Sequence, residues 1–188
     1  MIQENNQMTV RDVSLDNKLD RNCDFNLVEH KFMTNPCTPP IGEDEINVIR
    51  INAPEIVYFD ADPSTIEYLD ERNLTFYLCG NCAFSAGIKT TLGIEDHFTY
   101  AMIYTASDIN RSISYSGQFP IRGSRMPKPA ELKSNVSLPS DLIIGERFNP
   151  NLAEVFQLPP VETEYFIHVS LGPYKSNILK VAVKQKIE

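Results

Sequence analysis

From residue 46 onward, apolar and polar positions alternate with a period of two over much of the chain. This is the mark of strands half buried on a sheet. Ile46-Asn47-Val48-Ile49-Arg50-Ile51-Asn52 alternates and is rich in β-branched residues. Ile56-Val57-Tyr58-Phe59 and Leu74-Thr75-Phe76-Tyr77-Leu78-Cys79 are short runs of the same kind. Residues 98–105 and 112–115 follow, with the Val, Ile, Thr, Tyr and Phe content that suits a pleated surface. Neither face of 98–105 is polar, which predicts a central strand or an interface. The clearest signal is C-terminal. Residues 165–171 and 176–183 alternate on either side of Gly172-Pro173, which predicts a β-hairpin.

Helical signals are few. Asp62 can cap a helix that starts at Pro63, with Ile66, Tyr68 and Leu69 on its apolar face and an end by Asn73. A helical turn is also expected over 149–156, with Pro150 at its first position. Residues 1–22 form a polar lead-in, in which 9–15 could serve as an edge strand. Residues 35–42 hold three prolines and read as a rigid loop. Residues 117–139 are rich in Gly, Pro and Ser and form the longest irregular stretch. They read as a functional loop, or as the boundary of a two-domain division. The pattern predicts an all-β, antiparallel β-sandwich with one short helix, as a single domain over 1–188.

The segment Leu158-Pro159-Pro160-Val161-Glu162-Thr163-Glu164 leads into Tyr165 at the start of the hairpin. This resembles the approach to the penultimate strand of immunoglobulin-like domains. There a tyrosine follows an acidic turn and its hydroxyl ties back the corner. The resemblance covers about the last quarter of the chain. It implies an immunoglobulin-like sandwich and leaves function open. The chain has no Trp and carries no Cys on either hairpin arm, where the family usually has them.

Composition narrows the partners. The chain has 188 residues, 42% of them hydrophobic and 22% charged, a globular balance with enough length to bury a core without metal or disulfides. Its net charge is −8, with 17 basic against 25 acidic residues. That surface repels phosphate backbones and anionic lipid, so neither nucleic acid nor membrane insertion is expected. The favoured partner is another protein, a basic one being electrostatically the easiest. No apolar run approaches the ~20 residues of a membrane helix. The four cysteines suit a secreted or periplasmic protein with its signal removed, with the cytoplasm as the alternative. Three Asn-x-Ser/Thr sequons begin at Asn73, Asn110 and Asn135.

The chemistry-bearing residues are sparse. Cys79-Gly80-Asn81-Cys82 is a C-x-x-C pair, readable as a redox dithiol, half of a zinc site completed by Cys23 and Cys37, or structural disulfide sulfurs. Gly80-Asn81 looks like a tight turn, and residues 83–87 look too short for a helix. The structural reading of the four cysteines, as two disulfides or four buried thiols, is favoured.

Asp60, Asp62, Ser64 and Glu71 match the ligand spacing of an EF-hand loop, but Thr65 stands where that loop needs Gly. A looser Ca²⁺ site at Asp60 and Asp62 is the residual expectation. No cofactor is otherwise expected. Gly87-Ile88-Lys89-Thr90 breaks the contiguous Gly-Lys-Ser/Thr of a phosphate loop. No Gly-x-Ser-x-Gly elbow is present. Of the histidines, His30, His97 and His168, His97 could meet Cys82 in space as a dyad.

Phe119, Arg122, Arg125 and Met126, in the long loop, have the mixture common at protein interfaces. The expected function is a non-catalytic protein-binding module of adhesin, inhibitor, immunity or assembly type. The alternatives are a thiol-redox or metal-binding protein using Cys79 and Cys82, and a Ca²⁺-binding sandwich module.

Overall fold

The computed structural model describes residues 23–25, 28, 36–59, 74–119 and 138–186. Two sheets carry the architecture. The first is three-stranded and antiparallel. β3 (Cys79–Ser85) is its centre, flanked by β1 (Val48–Asn52) and β6 (Ile143–Phe148). The second has six strands. Its main path runs β2 (Ile56–Phe59), β9 (Leu179–Gln185), β7 (Thr163–Leu171), β4 (Ile103–Asp108) and β5 (Ile113–Gln118). The sixth, β8 (Tyr174–Lys175), pairs with β7. Pairing is antiparallel except between β2 and β9, which run parallel. The chain is therefore mostly β, as its alternation predicts, with a core between two sheets.

That core follows from the period of two. In β7 every second residue from Thr163 to Leu171 is buried, and Tyr165, Ile167 and Val169 are completely so. They meet Tyr104 and Ala106 of β4, Val181 and Val183 of β9, and Ile49, Ile51, Cys82 and Phe84 of the first sheet. Tyr104 and Phe148 cross between sheets edge to face, with ring centroids 5.7 Å apart. The connector after β8 adds two side-chain ties. Ser176 accepts from Val169 N through Oγ (2.9 Å). Asn177 pairs with β1 like a neighbouring strand, accepting from Ile51 N (2.9 Å) and donating to Ile51 O (3.0 Å). Its amide thus fills the edge that β1 would leave open.

Several local expectations are corrected. Residues 98–101 are not strand: α2 (Phe98–Ala101) makes one helical turn, and β4 starts only at Ile103. Its start is fixed by Glu146, whose two carboxylate oxygens accept from Phe98 N and Thr99 N, both at 3.1 Å. Residues 74–78 alternate in burial but form only a single bridge, Tyr77 to Asn151, and the strand lies over 79–85. Gly80-Asn81 is accordingly mid-strand, not a turn. β6, with the sequence Ile-Ile-Gly-Glu-Arg-Phe, carries no strong apolar–polar alternation and so gives no strand signal in the sequence.

The expected single helix, over 62–73, lies outside the described residues, as does the edge strand over 9–15. The described residues hold three short helices instead: α1 (Ala86–Leu92), α2 and α3 (Leu152–Phe156). Residues 83–87 look too short for a helix, but α1 runs on to Leu92, where Gly93 at φ 66° supplies its left-handed C-cap. α3 is capped by Asn151, whose Oδ1 accepts from Ala153 N, so Pro150 precedes the cap and is not the first helical residue.

Candidate functional site

The four cysteines separate into two environments. Cys23 and Cys37 form a disulfide with Cα atoms 5.3 Å apart. It packs with Val28, Phe25, Tyr77 and Cys79 in a small cluster against the three-stranded sheet. Cys79 and Cys82 are three residues apart on one strand, so they face opposite sides of it. Cys79 joins the disulfide cluster, whereas Cys82 joins the main core. The C-x-x-C spacing, which on a helix or tight turn brings two sulfurs together, here drives them apart. The pair does not converge as a dithiol or as two ligands of one metal. The expectation of two disulfides or four thiols becomes one disulfide and two buried thiols.

The cross-link closes a loop with a sequence separation of 14. Breaking it with Cys37→Ser is expected to cost about 3 kcal/mol, the chain-entropy value for a loop of about 15 residues. The check is the urea midpoint, which should fall. An unmoved midpoint would mean that this loop is not tied in solution.

Cys82 and His97 both approach Glu146. Cys82 is its direct cross-strand neighbour, and His97 Nδ1 lies 3.4 Å from Oε1. Burial, and then the Glu146 charge, push the Cys82 thiol up to about 12, so it stays protonated at neutral pH. The carboxylate placed to orient such a dyad instead caps α2. Tyr104 stands nearby, completely buried. Its hydroxyl has no hydrogen-bond partner among the described residues, and its ionisation is pushed strongly upward by burial first.

Of the loop residues expected to bind a partner, Phe119 is half buried and packs its ring 6.3 Å from Tyr104, flanking the core. Arg122, Arg125 and Met126 lie outside the described residues, as do Asp60 and Asp62. Among the described residues no group of three or more His, Cys, Asp or Glu side chains is placed to hold a metal, and no helix is long and apolar enough to cross a membrane.

The residues that do share a surface are on the outward face of the six-stranded sheet. Register places Ile56 opposite Ala182 and Tyr58 opposite Lys184. Phe166 lies opposite Lys180 and Ser107, and His168 opposite Thr105. Ile103 and Lys175 flank Ser170. Tyr58 is 56% exposed, Ile103 44% and Ile56 40%. Lys180 is paired with Glu164 at 2.7 Å. Lys175 and Lys184 have no ion-pair partner among the described residues. Beside Lys175, an open cleft of about 390 Å³ runs between β1 and the β7–β8 turn.

The face thus sets exposed apolar side chains and three lysines beside Glu164 and a row of Ser and Thr hydroxyls, on a chain of net charge −8. Alternation along the chain does not say which neighbours the lysines of β9 meet. Only the register shows that they line up beside Tyr58 and Phe166.

His168 sits on this face. Partial burial, and next the Lys175 ammonium, lower its pKa. The folded state therefore resists a proton that the unfolded chain accepts near 6.5. Stability is complete above that pH and is lost as pH falls through the unfolded value toward the lowered folded one. His168→Gln should remove this loss, so its melting temperature should drop less than that of the wild type between pH 7 and pH 5. Equal drops would mean that His168 titrates alike in both states.

No family model, curated protein or solved structure matches this chain.

Proposed function

We propose that the protein is a non-catalytic binding module whose partner docks on the outward face of the six-stranded sheet. The observation that carries this reading is the placement of Tyr58, Ile56, Phe166 and Ile103 among Lys175 and Lys184 on one continuous face. A rigid sheet with exposed aromatic and aliphatic side chains offers anchor residues at little entropic cost, and the lysines steer. The local charge favours an acidic partner surface, although the net charge alone suggested a basic one. An immunoglobulin-like arrangement belongs to the same reading. It is supported by the parallel pairing of an early strand with the last one and by the order β9-β7-β4-β5 in the same sheet. The Cys23–Cys37 disulfide supports work in an oxidising compartment.

The test is site-specific photo-crosslinking in native extract, with the probe at Tyr58 or, as a control, at Arg147 on the opposite sheet. The expected product forms at Tyr58 only, contains an acidic protein and fades with salt. Tyr58→Ala with Lys184→Glu should weaken that association at least about 30-fold, the range of a lost hot spot. Cross-linking at Arg147 alone, or binding indifferent to both substitutions, would overturn the proposal. A product made only of this chain would replace the acidic partner with a second copy.

A further inference from the structure

We infer that Cys23, Cys37 and Cys79 form a thiol–disulfide relay, in which the cross-link can pass from Cys23–Cys37 to Cys37–Cys79 and expose Cys23 as a thiol. Three observations converge. Cys37 and Cys79 are buried in one small cluster, with Cys23 packed against it. Cys79 is the direct cross-strand neighbour of Asn52, a pairing that brings side chains on one face to about 5 Å. Asn52, itself 3% exposed, directs its amide at the same disulfide: Nδ2 donates to Cys23 Sγ at 3.8 Å and to Cys37 O at 3.3 Å. One buried side chain therefore holds both ends of the disulfide beside the third cysteine.

The exchange is balanced within the chain. Cys79, as thiolate, attacks Cys37 Sγ. The Cys37–Cys79 bond forms and the Cys23–Cys37 bond breaks. Cys23 departs with the electron pair and takes up the proton that Cys79 gave up. Two sulfurs are oxidised before and after, so no external oxidant enters.

The direction of attack follows from the surroundings. Cys37 is 1% exposed and shares the buried cluster with Cys79, whereas Cys23 is half buried and can leave toward water. The Asn52 N–H at Cys23 Sγ supports negative charge on that leaving sulfur. After transfer, the 37–79 link pins the proline loop to β3. Cys23 becomes the thiol that a partner or a small disulfide can capture. Cys82, on the other side of the strand, takes no part.

The experiment is timed alkylation of the native, oxidised protein at pH 8, followed by acid quench and disulfide mapping by mass spectrometry. The expected product carries the alkyl group on Cys23 and a Cys37–Cys79 bond. Cys79→Ser should leave Cys23 unmodified over the same period, and Cys82→Ser should behave as the wild type. Cys23→Ser, refolded in a glutathione redox buffer, should form the 37–79 disulfide. An intact 23–37 bond with no label on Cys23, or two thiols at 37 and 79 in Cys23→Ser, would overturn the relay.

Discussion

Gly80→Ala is expected to lower the melting temperature by about 6–12 °C, corresponding to a loss of about 3 kcal/mol for a chain of this size. The reason is steric and does not involve backbone freedom. Gly80 lies mid-strand and pairs with Phe148 of β6, whose ring is folded over it. A Cβ built at Gly80 would lie 2.0 Å from Phe148 Cε2 and 2.1 Å from Cζ. No tolerance of a well-packed core absorbs such an overlap, so the ring must leave. Phe148 is 7% exposed and abuts Tyr104 from the other sheet, so displacing it opens the core between the sheets. Phe148→Leu alone costs less, and it should relieve part of the Gly80→Ala penalty when the two are combined. The measurement is a double-mutant cycle by thermal or urea melting. A coupling near zero would mean that the ring and the new methyl do not compete.

The same glycine shows where the sequence could and could not be read. Next to Asn81 and between two cysteines, it carries the local signs of a turn. Its actual role depends on Phe148, 68 positions away, which no local window contains. β7 and β9 were legible because their alternation is strict and the short turn at Gly172-Pro173 folds the chain straight back onto β7 through β8, so local pattern and tertiary pairing agree. Phe98–Ala101 was illegible for the opposite reason. Its apolar residues suit a strand, but Glu146 on another strand caps it into a helical turn.

The candidate site divides in the same way. The cysteines were found by type, and their partition followed from one structural fact, that residues three apart on a strand face opposite sides. The sheet face required register. Ile56, Tyr58 and Ala182 come together only because β2 joins β9 in parallel, a pairing that a local alternation pattern does not specify.

Asp108→Ala is expected to cost about 3 kcal/mol, because it strands two donors at once. Asp108 is 2% exposed at the end of β4. Its Oδ1 accepts from Thr163 Oγ1 at 2.7 Å and from Arg111 N at 2.9 Å, so one oxygen holds both the β4–β5 turn and the entry to β7. Asn110 Nδ2 extends the network to Thr163 Oγ1 at 3.3 Å. This is the corner where the resemblance to immunoglobulin-like domains placed the tie on the Tyr165 hydroxyl. That hydroxyl is buried, has no hydrogen-bond partner among the described residues, and is pushed up to about 12 by burial first. The tie is made two residues earlier, by Thr163.

Asp108→Asn keeps the acceptor and the shape, and should cost less than about 1 kcal/mol, near the net value of one hydrogen bond. Thr163→Val removes the strongest donor. In Asp108→Ala with Thr163→Val both partners are gone, so the double variant should lose less than the sum of the singles by about 1 kcal/mol or more. Strict additivity in urea melts, or an Asn variant as damaged as the Ala variant, would show that this carboxylate does not hold the corner.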